Sequence, residues 1–168
     1  MQRYLSSGGK FFPFHTGHLM CIERAASLCE KLYVILFTNG EFERSVNADG
    51  ISYDVDGYLS ASYSVNILHR LAESIDNVHT VIINVQDCVN ADGTEDWDAE
   101  TPLVIDKCGK FDAVFSSETS YDAYFKRAYP WAVHILIDPP RKIVPISATM
   151  IRAMTTSEAR EWVLNANG

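Results

Sequence analysis

GGKFFPFHTGH, residues 8–18, decides how the rest of the chain is read. It follows a short strand-like stretch at 3–6 and runs into a helical pattern from about 17 to 30, where Leu19, Ile22, Ala26 and Cys29 recur at helical steps. A Gly-rich turn between a strand and a helix brings free backbone N–H groups and the positive end of the helix dipole to one place, which suits an anion. His15 and His18 stand three residues apart across that helix start, so both imidazoles can face one point. Gly17 between them lets a ligand approach the backbone closely. Two imidazoles at a helix N-terminus can donate hydrogen bonds to a phosphate whose charge grows during transfer, without acting as bases. Two incidental histidines at a cap would spell the same H-x-G-H. The stretch is neither a G-x-x-x-x-G-K-[ST] loop nor a G-x-G-x-x-G turn.

Outward from this segment, strands and helices alternate. Residues 32–37, LYVILF, are continuously apolar between Lys31 and Thr38-Asn39-Gly40, as in a strand buried on both faces. Residues 39–60 are polar and hold three glycines, a long loop of the kind that often carries function. A helix over 60–74 uses Val65, Leu68, Leu71 and Ala72, and a third strand follows at 78–85. Residues 86–100 read as an acidic loop around Trp97, followed by a short helix near 102–108 and a strand at 113–116. A helix at 120–128 leads to a strand at 132–137, which Pro139-Pro140 stops. Ser147 starts a helix, and a last one is expected over 156–165. This alternation predicts an α/β fold: a Rossmann-like, doubly wound parallel sheet of about five strands with helices on both faces, in a single domain over 1–168. Ligands of such sheets bind at the carboxyl ends of the strands.

Composition narrows the function. The 168 residues are 47% hydrophobic, enough for a full core, and carry a net charge of −8. That balance excludes broad nucleic-acid binding, which rests on many Lys and Arg contacts to phosphates. The charge is unevenly spread: residues 41–112 hold 15 acidic and 4 basic side chains, whereas Lys126, Arg127, Arg141, Lys142 and Arg152 face only Asp138 in 126–152. A small cationic island in an acidic chain suits a small anionic ligand, although uneven surface charge alone would give the same pattern. Cys21, Cys29, Cys88 and Cys108 show neither C-x-x-C nor zinc-site spacing and read as reduced, mostly buried thiols. No apolar run approaches the length of a membrane span and the first residues resemble no secretory signal, so a cytoplasmic protein with no membrane partner is expected.

A second segment, PISATMIR at 145–152, places Ser147 and Thr149 at a helix start and Arg152 one turn in. Hydroxyls, amides and a guanidinium there could hold phosphate oxygens, and an ordinary Ser cap with a surface Arg would look alike. Together, GKFFPFHTGH and ISATMIR resemble the two signatures of the HxGH nucleotidyltransferase superfamily. SSETSYDAYF at 116–125 and DPPRKIVPIS at 138–147 resemble the NMN adenylyltransferase domain of NadR-like proteins.

The resemblance implies transfer of AMP from ATP to NMN, giving NAD and pyrophosphate. It implies that His15 and His18 contact the ATP phosphates, His18 at the α-phosphate, and that Lys10 and Arg152 neutralise the triphosphate with help from Arg141. Ser147 and Thr149 would donate to the β- and γ-phosphates, Ser117, Glu118 and Thr119 would border the adenosine, and Gly9, Phe12, Gly17 and Ile146 complete the nucleotide site. Trp97 and Asn39 would serve the acceptor, Trp97 by stacking on a flat cationic ring; a loop Trp pinned to the core is the plainer alternative. Mg²⁺ would arrive on the ATP phosphates, with no protein metal site. ATP and NMN are the implied partners, without nucleic acid, and the reading leaves room for a homo-oligomer and for a longer parent protein. A cytidylyltransferase, a pantetheine-phosphate-type adenylyltransferase, and a nucleotide sensor without turnover remain open beside it.

Overall fold

Alternate side chains of one central strand settle the layering. The computed structural model describes residues 3–9, 11, 13–39 and 61–164. In β2 (Lys31–Thr38), Leu32, Val34 and Leu36 pack into one apolar cluster while Tyr33, Ile35 and Phe37 pack into another. The period-two alternation of a strand therefore feeds two cores, one on each face of the sheet.

The first cluster takes Ile22, Ala25 and Ala26 from α1 (Thr16–Ser27) and Tyr63, Ile67 and Leu68 from α2 (Ala61–Ser74). The second takes Val104 and Cys108 from α3 (Trp97–Cys108) and Phe125 from α4 (Asp122–Ala128). Phe14, Leu32 and Ile35 are fully buried, and each such side chain contributes about 2 kcal/mol by leaving water. The remaining strands are β1 (Arg3–Gly9), β3 (Val78–Asn84), β4 (Ala113–Ser116) and β5 (Val133–Leu136), and all pair in parallel in the order β3-β2-β1-β4-β5. The chain builds outward from β1 to β3, then crosses back to place β4 on the other side of β1. That reversal between β1 and β4 is the topological switch point, where a doubly wound sheet opens a crevice at its carboxyl ends. The doubly wound parallel α/β class expected from the sequence is the one observed.

Several boundaries differ from the expectation. β1 runs to Gly9 rather than ending at 6, so Gly8 and Gly9 belong to the strand; its pairing with β2 shifts between Ser6 and Gly9, as at a bulge. Cys29 lies just past α1, where its Sγ donates to the Ala25 carbonyl. Asn77 caps that helix end from the turn before β3, donating to the carbonyls of Ala26 and Cys29 at 2.8 Å each. The acidic stretch around Trp97 is a helix start, not a loop. Asp96 accepts the Ala99 N–H at 3.2 Å, and Asp98 and Glu100 occupy the first turn, where the helix dipole favours negative charge. A 3-10 turn at Thr119–Tyr121 precedes α4. The last helices are short, α5 (Ala148–Arg152) and α6 (Thr156–Ala159). All four cysteines are free thiols, Cys88 and Cys108 buried and Cys21 and Cys29 half-buried. No helix among the described residues is long and apolar enough to cross a membrane.

Candidate active site

His15 is the N-cap of α1, in extended backbone, and its Nδ1 accepts the Gly17 N–H at 3.0 Å. His18 reaches back, its Nδ1 accepting the His15 N–H at 3.2 Å. This is a capping box built from two imidazoles in place of the usual hydroxyl and carboxylate. Its consequence is chemical. A ring nitrogen that accepts a backbone N–H carries no proton, so the neutral rings hold their protons on Nε2 and both are Nε2–H donors.

The surroundings keep them neutral. Burial pushes the His15 imidazole down to about 4, and the Arg141 charge acts in the same direction. Burial also holds His18 well below the ordinary imidazole range, with His15 and Arg141 adding to it. The rings stack with centroids 3.7 Å apart, and Phe11 and Phe14 meet His18 edge-on at 4.8 and 5.3 Å. His15 is only 1% exposed, whereas His18 is half-buried, so His18 is the better placed to touch a ligand.

Gly17 has a specific reason. A Cβ there would lie 2.8 Å from His15 Cε1 and 2.9 Å from its Nδ1, in the volume of the capping ring. The same Cβ would sit 3.6 Å from Ile146 Cγ2, which shows that the second signature packs against the first. Ile146 is buried, with Ile151, Ala159 and Val163, in a small cluster of its own. Ser147 caps α5, its Oγ accepting the Met150 N–H at 3.2 Å. Arg152 ends that helix and donates to Thr149 Oγ1 at 3.3 Å.

Arg141 ties the two halves together. It follows β5 in left-handed backbone, φ 51°, as does Asp138 at φ 44°. Non-glycine residues rarely hold that conformation, and Asp138 over-determines it: its carboxylate accepts the N–H groups of Lys142, Ile143 and Val144. The Arg141 guanidinium donates to Glu118 Oε1 at 2.5 Å and to the Ile146 carbonyl at 3.0 Å. Glu118 lies in the loop after β4, beside Ser117, whose Oγ is 3.1 Å from Cys21 Sγ on α1. Thr119 is exposed at the start of the 3-10 turn.

The structure thus brings His15, Gly17, His18, Arg141, Glu118 and Ile146 together at the carboxyl ends of β1, β4 and β5. Gly9 ends β1 opposite Leu36, and Asn39 follows β2, half-buried. Trp97 is 38% exposed at the start of α3, its ring edge-on to Tyr121 and Tyr124 and its Nε1 donating to Glu95 at 3.0 Å. It is neither in a loop nor sunk in the core. Burial pushes the Tyr121 phenol up, with Glu118 and Glu95 adding to it and Arg141 opposing, so Tyr121 bridges the Trp97 side and the Arg141 side. Lys10 and Phe12 lie outside the described residues, as does the expected loop beyond Asn39.

Sequence reasoning missed the supports. Ser64 of α2 donates to the Phe11 carbonyl, Thr16 N–H donates to the Trp162 carbonyl at 2.8 Å, and His15 bridges Val163 in antiparallel fashion. Tyr63 Oη donates to the Leu164 carbonyl. The segment after α6 therefore straps the histidine turn in place. These are contacts between distant backbone positions, for which no local pattern exists. Among the described residues, no group of three or more His, Cys, Asp or Glu is placed to hold a metal.

No protein-family model and no curated protein matches the chain. Solved structures do. A NadR protein in complex with NR superposes at a TM-score of 0.67 with 19% identity, over 96% of this chain and 43% of that one. A NadR protein with NAD and AMP-PNP gives 0.59 and 20%, over 96% and 44%. A bifunctional NMN adenylyltransferase/ADP ribose pyrophosphatase from Francisella tularensis gives 0.60 and 20%, over 91% and 42%. The chain has the α/β fold of these structures and spans less than half the length of each.

Proposed function

We propose that this protein is an adenylyltransferase of NAD biosynthesis, joining NMN to the AMP moiety of ATP with release of pyrophosphate. The observation that carries the reading is the pair of neutral Nε2–H imidazoles capping α1, with Arg141 beside them, at the switch point of a fold similar to NadR and NMN adenylyltransferase structures.

The NMN phosphate is anionic near neutral pH and needs no base to attack the α-phosphorus in line. The task left to the protein is positioning and charge neutralisation. His18, partly exposed at the helix start, donates Nε2–H to the α-phosphate oxygen on which charge develops. His15, buried behind it, orients His18 through the stacked rings and supplies its own donor. Arg141, with Lys10 and Arg152, balances the triphosphate. Mg²⁺ enters as the counterion of ATP, keeping waters rather than a protein cage; a related structure was solved with AMP and a Mn ion. Ser147 and Thr149 border the phosphates, Ser117 and Thr119 the adenosine, and Trp97 with Asn39 the acceptor.

An acceptor panel tests this. The protein with ATP and Mg²⁺ is offered NMN, its deamidated acid form, or phosphopantetheine, and products are resolved by chromatography. NAD formed from NMN supports the assignment. Product only with another acceptor keeps the transferase and discards NMN. ATP bound without turnover turns the reading to a nucleotide sensor.

A further inference from the structure

Asp122, His134 and Ser116 form an unbroken hydrogen-bond chain that ends on the loop carrying Glu118, and the proposed reaction makes no use of it. His134 Nδ1 is 3.1 Å from Asp122 Oδ1, and its Nε2 is 2.9 Å from Ser116 Oγ. Ser116 Oγ in turn accepts the Glu118 N–H at 3.0 Å. The direction of donation follows from the groups. An ionised carboxylate only accepts, so His134 donates Nδ1–H to Asp122 while its Nε2 meets the Ser116 hydroxyl. Ser116 then has a lone pair for the Glu118 amide. Ser116 Oγ also lies 3.2 Å from the Glu118 carbonyl, a second acceptor for its hydroxyl, so the serine meets both backbone groups of Glu118.

The order of residues is that of a serine nucleophile with its base and acid, but the placement is wrong for that chemistry. Ser116 is 5% exposed, inside the last residue of β4, and its oxygen is already shared between an imidazole and an amide. The His134 side chain is 4% exposed and packs edge-on against Phe125. What the chain can do is fix the backbone at Glu118. Glu118 holds the Arg141 guanidinium from one side while the Ile146 carbonyl holds it from the other, and Arg141 lies close enough to His15 and His18 to bias both rings.

We infer that His134 is a positioning residue for the nucleotide site, holding the Glu118 loop through Ser116 so that Glu118 presents Arg141 to the phosphates. The inference rests on the proposed ATP-dependent reaction. A purely packing role predicts instead that a ring of equal volume without nitrogens leaves ATP affinity unchanged.

The test is a double-mutant cycle on the full chain, read as ATP affinity by calorimetric titration with Mg²⁺, beside the melting temperature. His134→Phe keeps the ring volume and removes both hydrogen bonds. We expect it to weaken ATP binding about tenfold, and to change it less than twofold when Glu118 is already Ala. The surface variant Asp122→Ala, which removes the carboxylate that anchors the chain and its exposed pair with Lys126 without touching the core, should weaken binding in the same direction by about threefold. Wild-type affinity in His134→Phe, or an equal factor in both Glu118 backgrounds, overturns the inference. Should His134→Phe fail to fold, Asp122→Ala decides, and unchanged ATP affinity in that variant overturns it. A wild-type protein that binds no ATP overturns the proposed function and the inference together, whereas intact ATP binding indifferent to His134 overturns the inference alone.

Discussion

His15 and His18 lie face to face, ring centroids 3.7 Å apart, each with a backbone N–H donated to its Nδ1. Two cations could not occupy that arrangement, and the incoming N–H groups leave no room for a proton on Nδ1. In the proposed reaction the pair would act as neutral donors, and protonation at Nδ1 would break the cap.

The pH dependence follows. With His15 held at about 4 and His18 held well below the ordinary imidazole value, both rings are neutral at pH 7. Activity should therefore show no inflection near the ordinary imidazole value of 6.5 from these residues. For stability, His15 takes up a proton near 6.5 in the unfolded chain and only near 4 in the folded one, so its contribution is fully present above 6.5 and is lost as pH falls through that window. His15 accounts for about 3 kcal/mol of that decline. Urea melts at successive pH values, with ring titrations by NMR, check both statements.

Gly17→Ala should lower both stability and activity. The added Cβ would overlap the His15 ring at 2.8 Å, and the ring is held by its cap and by its stack on His18. Turning His15 away leaves the Gly17 N–H without its partner, at about 1–2 kcal/mol, and disturbs His18. Thermal unfolding and kcat/KM should fall together; a normal melting temperature with normal activity would argue against the described cap.

Asp138→Ala should act at a distance on Arg141. The carboxylate collects the N–H groups of residues 142–144 and lies at the head of a turn in which two non-glycine residues hold positive φ. Burial alone would raise its pKa, but those donors and Arg141 outweigh burial and hold it below the ordinary carboxylate range. Without it the turn relaxes and Arg141 leaves its place between Glu118 and Ile146. A loss of about tenfold in kcat/KM is expected, with Asp138→Asn intermediate because its amide oxygen still accepts one N–H. Steady-state kinetics of the two variants check this.

Trp97→Ala separates the acceptor from ATP. The ring is 38% exposed and braced edge-on by Tyr121 and Tyr124, which leaves it free to receive a flat ligand. KM for NMN should rise about tenfold while ATP affinity stays the same. A shift in ATP affinity instead would assign Trp97 to the nucleotide side.

The fold was largely legible, because buried parallel strands announce themselves as unbroken apolar runs and β2 is one. The two histidines and the Ser147 cap were legible for the same local reason: caps depend on neighbours within a turn. Trp97 was misplaced because Asp96, Asp98 and Glu100 read as a polar loop although acids at a helix start are stabilising. Gly8 and Gly9 read as a turn because a strand made of glycines offers no side-chain pattern. What stayed hidden is what joins distant positions. Glu118 meets Arg141 across 23 residues, Ser116 meets His134 across 18, and Thr16 meets Trp162 through backbone atoms common to every sequence.

The most direct test of the central claim is pyrophosphate release from ATP and Mg²⁺ in the presence of NMN, wild type beside His18→Ala. The account predicts NMN-dependent release by the wild type, reduced about a hundredfold or more in the variant, with ATP still bound by both. Release that is unchanged in His18→Ala, or absent from a wild type that binds ATP and NMN, would contradict it.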